Sequence, residues 1–76
     1  MNLQDFIQKF ANQLDDTDAN DITSDTIFQE LEEWSSLTAM SIIAFVRTEY
    51  GKTITGREIR YAKTVEDLYN LIASKE

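Results

Sequence analysis

Apolar residues recur every three or four positions in three separate segments of this chain, which is the spacing of an amphipathic helix. The first segment predicts a helix over residues 3–14, with Asn2 as its N-cap and Asp5 in its first turn, where a carboxylate is favoured. Its apolar positions are Leu3, Phe6, Ile7, Phe10 and Leu14. The pattern therefore favours a helical core.

The second and third of these helices have clear end signals. Residues 36–50 predict the strongest helix of the chain, and Gly51 follows them as a C-terminal stop. Thr64 can cap a last helix, because Asp67 lies at the distance of a capping box. Between these two helices, residues 57–61 predict at most one short helical piece.

Residues 15–35 lack helical periodicity and are rich in Asp, Thr, Asn and Ser, which favour turns and caps. The apolar residues expected to anchor this long loop to the core are Ile22, Ile27, Phe28 and Leu31. The sequence therefore predicts an all-α four-helix bundle with a short third helix and a long acidic first loop, as one domain over residues 1–76. The predicted core consists of Phe6, Ile7, Phe10, Leu14, Ile27, Ile42 or Ile43, Val46, Ile54, Val65, Leu68 and Ile72.

The composition restricts the possible functions. The chain has no cysteine and no histidine, so it lacks a thiolate metal site and the usual general base. We therefore expect no catalytic residue, no bound metal and no enzymatic activity. The net charge of −7 argues against nucleic acid as a partner. The sequence shows no bilayer-spanning stretch and no signal pattern, so we expect a cytoplasmic protein that does not bind membranes. We also expect it to be a monomer.

Two adjacent serines, Ser35 and Ser36, precede the second helix. A serine oxygen at this point can accept a hydrogen bond from a backbone N–H that has no partner within the helix, so either serine can be the N-cap. A nucleophilic role would need an activating base, and the chain has no histidine to supply one. Trp34 is expected to pack over the junction of loop and helix rather than to border a ligand.

The second helix carries more apolar residues than one buried face can accommodate. Residues 42–50 already supply such a face, so Leu37, Met40 and Ala44 are expected to leave part of their surface exposed. An exposed apolar surface near the start of a helix indicates a site where a partner binds.

The order of these elements resembles the acyl carrier protein family over essentially the whole chain. A helix and a long acidic loop lead to Ser35-Ser36-Leu37 at the start of an apolar helix, and "TEYG", a short helix and "TVEDL" follow. The family's signature at the second helix is Asp-Ser-Leu. By this resemblance, Ser36 is the residue that a phosphopantetheinyl transferase would esterify with 4′-phosphopantetheine from coenzyme A.

The resemblance implies a carrier rather than a catalyst. The thiol of the arm would hold acyl groups as thioesters for the acyl-transferring and chain-modifying enzymes of fatty-acid, polyketide or related biosynthesis. A phosphodiester on Ser36 would also be favoured by the positive end of the helix dipole. Leu37, Met40 and Ala44, with upstream acids such as Glu33, are then expected to bind the partner enzymes.

One departure from the family pattern leaves an alternative open. Position 35 is Ser, whereas the family has Asp. Modification of Ser36 is therefore expected to be slower or to need a dedicated transferase. A carrier-like docking module that has lost its arm is the alternative that this substitution favours.

The acidic loop suggests a second alternative, a calcium-responsive interaction module. Asp16, Asp18 and Asn20 alternate as they do at the beginning of a calcium-binding EF-hand loop. The glycine and the glutamate that such a loop requires are replaced by Asp21 and Ile27. We therefore expect a solvated loop and no metal site.

Overall fold

The structure is a computed structural model that describes residues 2–75, so the first and last residues of the predicted domain lie outside the description. This part of the chain forms four α-helices and no β-strand: α1 (Leu3–Asn12), α2 (Ser36–Tyr50), α3 (Gly56–Tyr61) and α4 (Val65–Ala73). The long loop between α1 and α2 contains two 3-10 turns, Ala19–Asp21 and Phe28–Glu30. The predicted all-α four-helix fold, with its short third helix and long first loop, is confirmed.

The ends of the helices follow from local sequence signals. Thr64 and Asp67 form the predicted capping box at the start of α4. A second capping box joins Thr55 and Glu58 at the start of α3, and the T-x-x-E pattern there is its usual sequence signature. Gly51 ends α2 with a φ angle of 66°, in the left-handed region that glycine adopts without steric cost.

The predicted core is buried except for one residue of the loop, Ile27. The prediction for Ile27 is wrong, because this side chain is half-buried and the neighbouring Phe28 enters the core instead. In α2, Ile42 is fully buried while Ile43 is half-buried. Five further residues outside the predicted core list are also buried, namely Ala11, Ile22, Phe45, Ile59 and Ala62, of which Ile22 was expected to anchor the loop.

The first helix is shorter than predicted. It ends at Asn12, but the chain continues in a turn in which the Leu14 N–H donates to the Ala11 carbonyl at 3.0 Å. This turn keeps Leu14 buried. The side chain therefore occupies its predicted place in the core although it lies beyond the helix.

The long loop is held against the start of α4 by backbone hydrogen bonds. The Val65 N–H donates to the Thr26 carbonyl and the Glu66 N–H donates to the Ser24 carbonyl, both at 3.0 Å. These bonds give partners to N–H groups in the first turn of α4, which have none within their own helix. The loop therefore has a defined path over the core.

Lys9 joins the outer faces of α1 and α2. Its Nζ lies 2.6 Å from Glu49 Oε1 and 3.2 Å from Asp5 Oδ2, and 5.9 Å from the centre of the Tyr50 ring. The hydrogen bond to Glu49, with a smaller contribution from Asp5, raises the pKa of Lys9.

In the described part of the chain, no helix has both the length and the apolarity needed to cross a bilayer.

Candidate functional site

The first residue of the serine pair is part of the helix cap. The Ser35 side-chain oxygen accepts a hydrogen bond from the Thr38 backbone N–H at 3.3 Å, and its carbonyl accepts one from the Ala39 N–H at 2.9 Å. The sequence left the identity of the cap open between the two serines, and the structure assigns it to Ser35.

The second serine has no such role. Ser36 is the first residue of α2 and its side chain is exposed. Its hydroxyl makes no hydrogen bond to any of residues 2–75. A hydroxyl that is exposed, free of internal partners and at the end of a helix is open to a modifying enzyme.

The backbone before the serines is fixed by packing and by one side-chain hydrogen bond. The Trp34 ring stacks on Phe10 with centroids 6.5 Å apart and makes an edge-to-face contact with Phe28, with centroids 4.9 Å apart. The Thr38 hydroxyl donates to the Glu33 carbonyl at 2.9 Å. The expectation that Trp34 packs at this junction is confirmed, and the start of α2 is therefore attached to the aromatic core.

The Glu33 side chain is part-exposed, and its carboxylate is turned toward the loop. Its two oxygens accept hydrogen bonds from the backbone N–H groups of Asp15 and Asp16, at 3.0 and 3.1 Å, and from the Thr17 hydroxyl. The Thr17 hydroxyl contributes most, and the two backbone donors contribute less, to lowering the pKa of Glu33. The carboxylate therefore has partners within the protein while the side chain is part-exposed, and its expected role in binding partner enzymes stays a prediction.

The other predicted partner-binding residues lie on the outer surface of α2. Leu37 and Met40 are 77% and 65% exposed, and Ala44 is exposed one turn beyond Met40. The prediction that apolar surface remains exposed near the start of this helix is confirmed. The three residues follow Ser36 on the same helix and lie within eight positions of it in the sequence.

Ser35 and Ser36 both line a groove between α2 and α3. It has a volume of about 340 Å³, and the residues that line it include Trp34, Ser36, Met40, Ile43, Ile59 and Arg60. The Gln29 Nε2 atom lies 3.0–3.1 Å from the carbonyl oxygens of Ile59, Arg60 and Ala62, among which its two hydrogens are shared. This side chain therefore ties the end of α3 to the loop. Sequence reasoning did not find Gln29 or Arg60, because no local pattern marks their approach to Ser36.

The acidic loop does not have the geometry of a calcium site. Asp18 Oδ1 accepts a hydrogen bond from the Asn20 N–H at 2.9 Å and so caps the first 3-10 turn. Asp16 and Asp21 border a separate surface cavity of about 600 Å³ beside Glu33. Nowhere in residues 2–75 do three acidic side chains come together as a metal ion would require.

The start of α2 fits the group that the resemblance implies. The Ser36 hydroxyl is exposed and has no partner in the described chain. No acidic side chain lies in the first turn of α2, so a phosphodiester at Ser36 would meet the positive end of the helix dipole without a neighbouring carboxylate in that turn.

Comparison with known proteins identifies the family to which this chain belongs. A family model described as a phosphopantetheine attachment site matches residues 4–72. The search of curated proteins and the search of solved structures gave no match. The match spans nearly the whole chain, and the resemblance to acyl carrier proteins is confirmed. The chain belongs to the phosphopantetheine-binding family of carrier proteins, whose members carry a covalently attached 4′-phosphopantetheine group.

Proposed function

We propose that this protein carries acyl intermediates as thioesters on a 4′-phosphopantetheine arm attached to Ser36, and presents them to enzymes of fatty-acid, polyketide or related biosynthesis. One observation supports the choice of Ser36 over Ser35 as the attachment residue. Ser35 is committed to the helix cap, whereas Ser36 exposes a hydroxyl that has no partner within residues 2–75. The arm supplies the thiol that the cysteine-free chain lacks.

The attachment step needs a base from another protein. A phosphopantetheinyl transferase removes the Ser36 hydroxyl proton, and the oxygen attacks the coenzyme A phosphorus on the pantetheine side. A new bond forms between that phosphorus and the serine oxygen, while the bond to 3′,5′-adenosine bisphosphate breaks and that group leaves. The chain has no histidine to act as the base. In this proposal the protein is a substrate and a carrier, not an enzyme.

The proposed surface for partner enzymes consists of Leu37, Met40 and Ala44. Apolar residues that remain exposed beside an attachment point are typical anchors for transient binding. Glu30 and Glu32, which are exposed just before the helix, add negative charge that would favour basic partner surfaces. The same proposal places a monomeric carrier in the cytoplasm.

A mass measurement tests the proposal. The protein is incubated with coenzyme A, magnesium and a transferase of broad specificity, and its intact mass is then determined. We expect a gain of one phosphopantetheine in the wild type and in Ser35→Ala, and no gain in Ser36→Ala. An unchanged wild-type mass, or a gain that persists in Ser36→Ala, would contradict the proposal.

A docking module without an arm is the second candidate, and it is favoured by the serine at position 35, where the family has aspartate. The Ser35→Asp variant separates the two candidates, because aspartate is also a good N-cap and keeps the helix start intact. A carrier that is modified slowly should be modified faster in this variant. A module without an arm should remain unmodified in both forms.

A further inference from the structure

The groove beside Ser36 is lined by a cation, Arg60, that pairs with no acidic group among residues 2–75. Arg60 lies in the last turn of α3 and lines the same groove as Ser36. It forms no ion pair with any other described residue, since the three ion pairs within residues 2–75 take their cations from Lys9 and Lys75. An arginine without a partner at the wall of a groove is available to bind an anion.

The guanidinium lies close to Gly56. A Cβ placed on Gly56, one turn earlier in α3, would lie 3.8 Å from Arg60 Nη1. Gly56 also lines the groove that contains Ser36. The charged end of Arg60 therefore folds back beside another residue of the groove wall.

The backbone that carries Arg60 is fixed. The Gln29 Nε2 atom lies 3.0 Å from the Arg60 carbonyl oxygen and 3.1 Å from those of Ile59 and Ala62, and its two hydrogens are shared among them. Ile59 and Ala62 are both buried. Because these neighbours are anchored, the fold sets the position of the Arg60 backbone at the edge of the groove.

We propose that Arg60 binds the phosphodiester of the phosphopantetheine group on Ser36 and so holds the first part of the arm against the groove between α2 and α3. This inference rests on the proposed attachment at Ser36. A guanidinium presents paired N–H donors that match phosphate oxygens. Neutralising the new charge also matters in a chain whose net charge is already −7.

Arg57 provides a matched control on the same short helix. It is exposed like Arg60, but it lines a different cavity, together with Glu58, Tyr61 and Leu71. A change at Arg57 therefore removes the same charge from α3 without touching the groove that contains Ser36.

The test compares the apo protein with the modified protein by NMR. After mass spectrometry has verified the modification, the Nε–H signals of the three arginines in the chain are recorded before and after attachment. We expect a shift of the Arg60 signal that shrinks at high salt, with the Arg57 signal unchanged. The ³¹P chemical shift of the phosphodiester in modified Arg60→Gln should differ from that in the modified wild type. The difference should be smaller in Arg60→Lys and absent in Arg57→Gln.

The outcomes separate this inference from the proposed function. If the protein is modified at Ser36 but the Arg60 signal does not shift, Arg60 does not bind the phosphodiester and the carrier function stands. Equal ³¹P signals in Arg60→Gln and Arg57→Gln would likewise overturn the role of Arg60 alone. A protein that gains no mass overturns both proposals. Circular dichroism of each variant checks that the total helix content is unchanged.

Discussion

The backbone N–H of Thr38 donates a hydrogen bond to the hydroxyl of Ser35 at 3.3 Å. This contact gives the two adjacent serines different roles, since the Ser36 hydroxyl has no partner in residues 2–75. One serine stabilises the start of α2, and the next is presented to solvent at the same helix end. The separation of these roles has consequences for stability, for modification and for partner binding.

Replacing the capping serine should affect stability, whereas replacing its neighbour should not. In Ser35→Ala, the Thr38 N–H loses its acceptor, and we expect the free energy of unfolding to fall by about 1 kcal/mol. In Ser36→Ala, we expect a change within about 0.5 kcal/mol, as for most exposed positions. Urea unfolding followed by circular dichroism measures both values. A larger loss in Ser36→Ala than in Ser35→Ala would reverse the assignment of the cap.

The Glu33 carboxylate should make the stability of the loop depend on pH. Its pKa is lowered in the folded protein, mainly by the Thr17 hydroxyl. The stabilisation is therefore complete above its ordinary pKa of 4.5 and is lost as the pH falls through the lower pKa of the folded state. In Glu33→Gln, only one oxygen remains, so the Asp15 and Asp16 N–H groups cannot both keep their acceptors.

Amide hydrogen exchange at Asp15 and Asp16 measures this effect. We expect faster exchange of at least one of the two amides in Glu33→Gln at neutral pH, and a weaker loss of stability on acidification than in the wild type. Glu32→Gln is the control, because Glu32 is exposed and makes no hydrogen bond with the described residues. Equal exchange rates in the two variants would show that the Glu33 contacts do not hold the loop.

The exposed apolar residues of α2 should matter for binding and not for folding. Leu37→Ser and Met40→Gln are expected to leave the free energy of unfolding within about 0.5 kcal/mol of the wild type. The kcat/KM of the transferase for each variant should fall about tenfold, because truncating an interface anchor commonly costs more than about 1 kcal/mol. Tyr61→Ser is the control, since Tyr61 is 91% exposed but lies on α3. A similar loss in Tyr61→Ser would indicate a different docking surface.

The Tyr50 hydroxyl is expected to reduce stability. Its oxygen is buried and has no hydrogen-bond partner in the described structure, and burial raises the pKa of this phenol. Tyr50→Phe removes the unpaired polar atom and keeps the ring contacts with Phe6 and Phe45. We expect the free energy of unfolding to rise by up to about 1 kcal/mol. Urea unfolding checks this, and a clear loss of stability would mean that the hydroxyl has a favourable role.

Much of this fold could be predicted because its signals are local. The spacing of apolar residues in α1, the glycine at position 51 and the T-x-x-D pattern at Thr64 each determine structure within a few neighbouring residues. The loop was less predictable, because its register depends on distant contacts. Phe28 enters the core in place of Ile27 because its ring packs against Phe10 at 5.8 Å, and no local rule distinguishes these two residues.

Part of the candidate site could be predicted because its signals are also local. The motif around Ser36 and the exposure of Leu37 and Met40 follow from helical spacing and family resemblance. The role of Glu33 depends on hydrogen bonds to backbone groups 17 and 18 residues earlier. The approach of Arg60 to the same groove depends on how α3 packs against α2. Neither relationship has a signature in the sequence.

Fragment mass spectrometry of the wild-type protein after incubation with coenzyme A and transferase tests the central claim most directly, because it locates the modification within the serine pair. We predict that fragment ions separate the two residues and assign one phosphopantetheine to Ser36, with Ser35 unmodified. Phosphopantetheine on Ser35, or its absence from both serines under conditions that modify another carrier protein completely, would contradict the account.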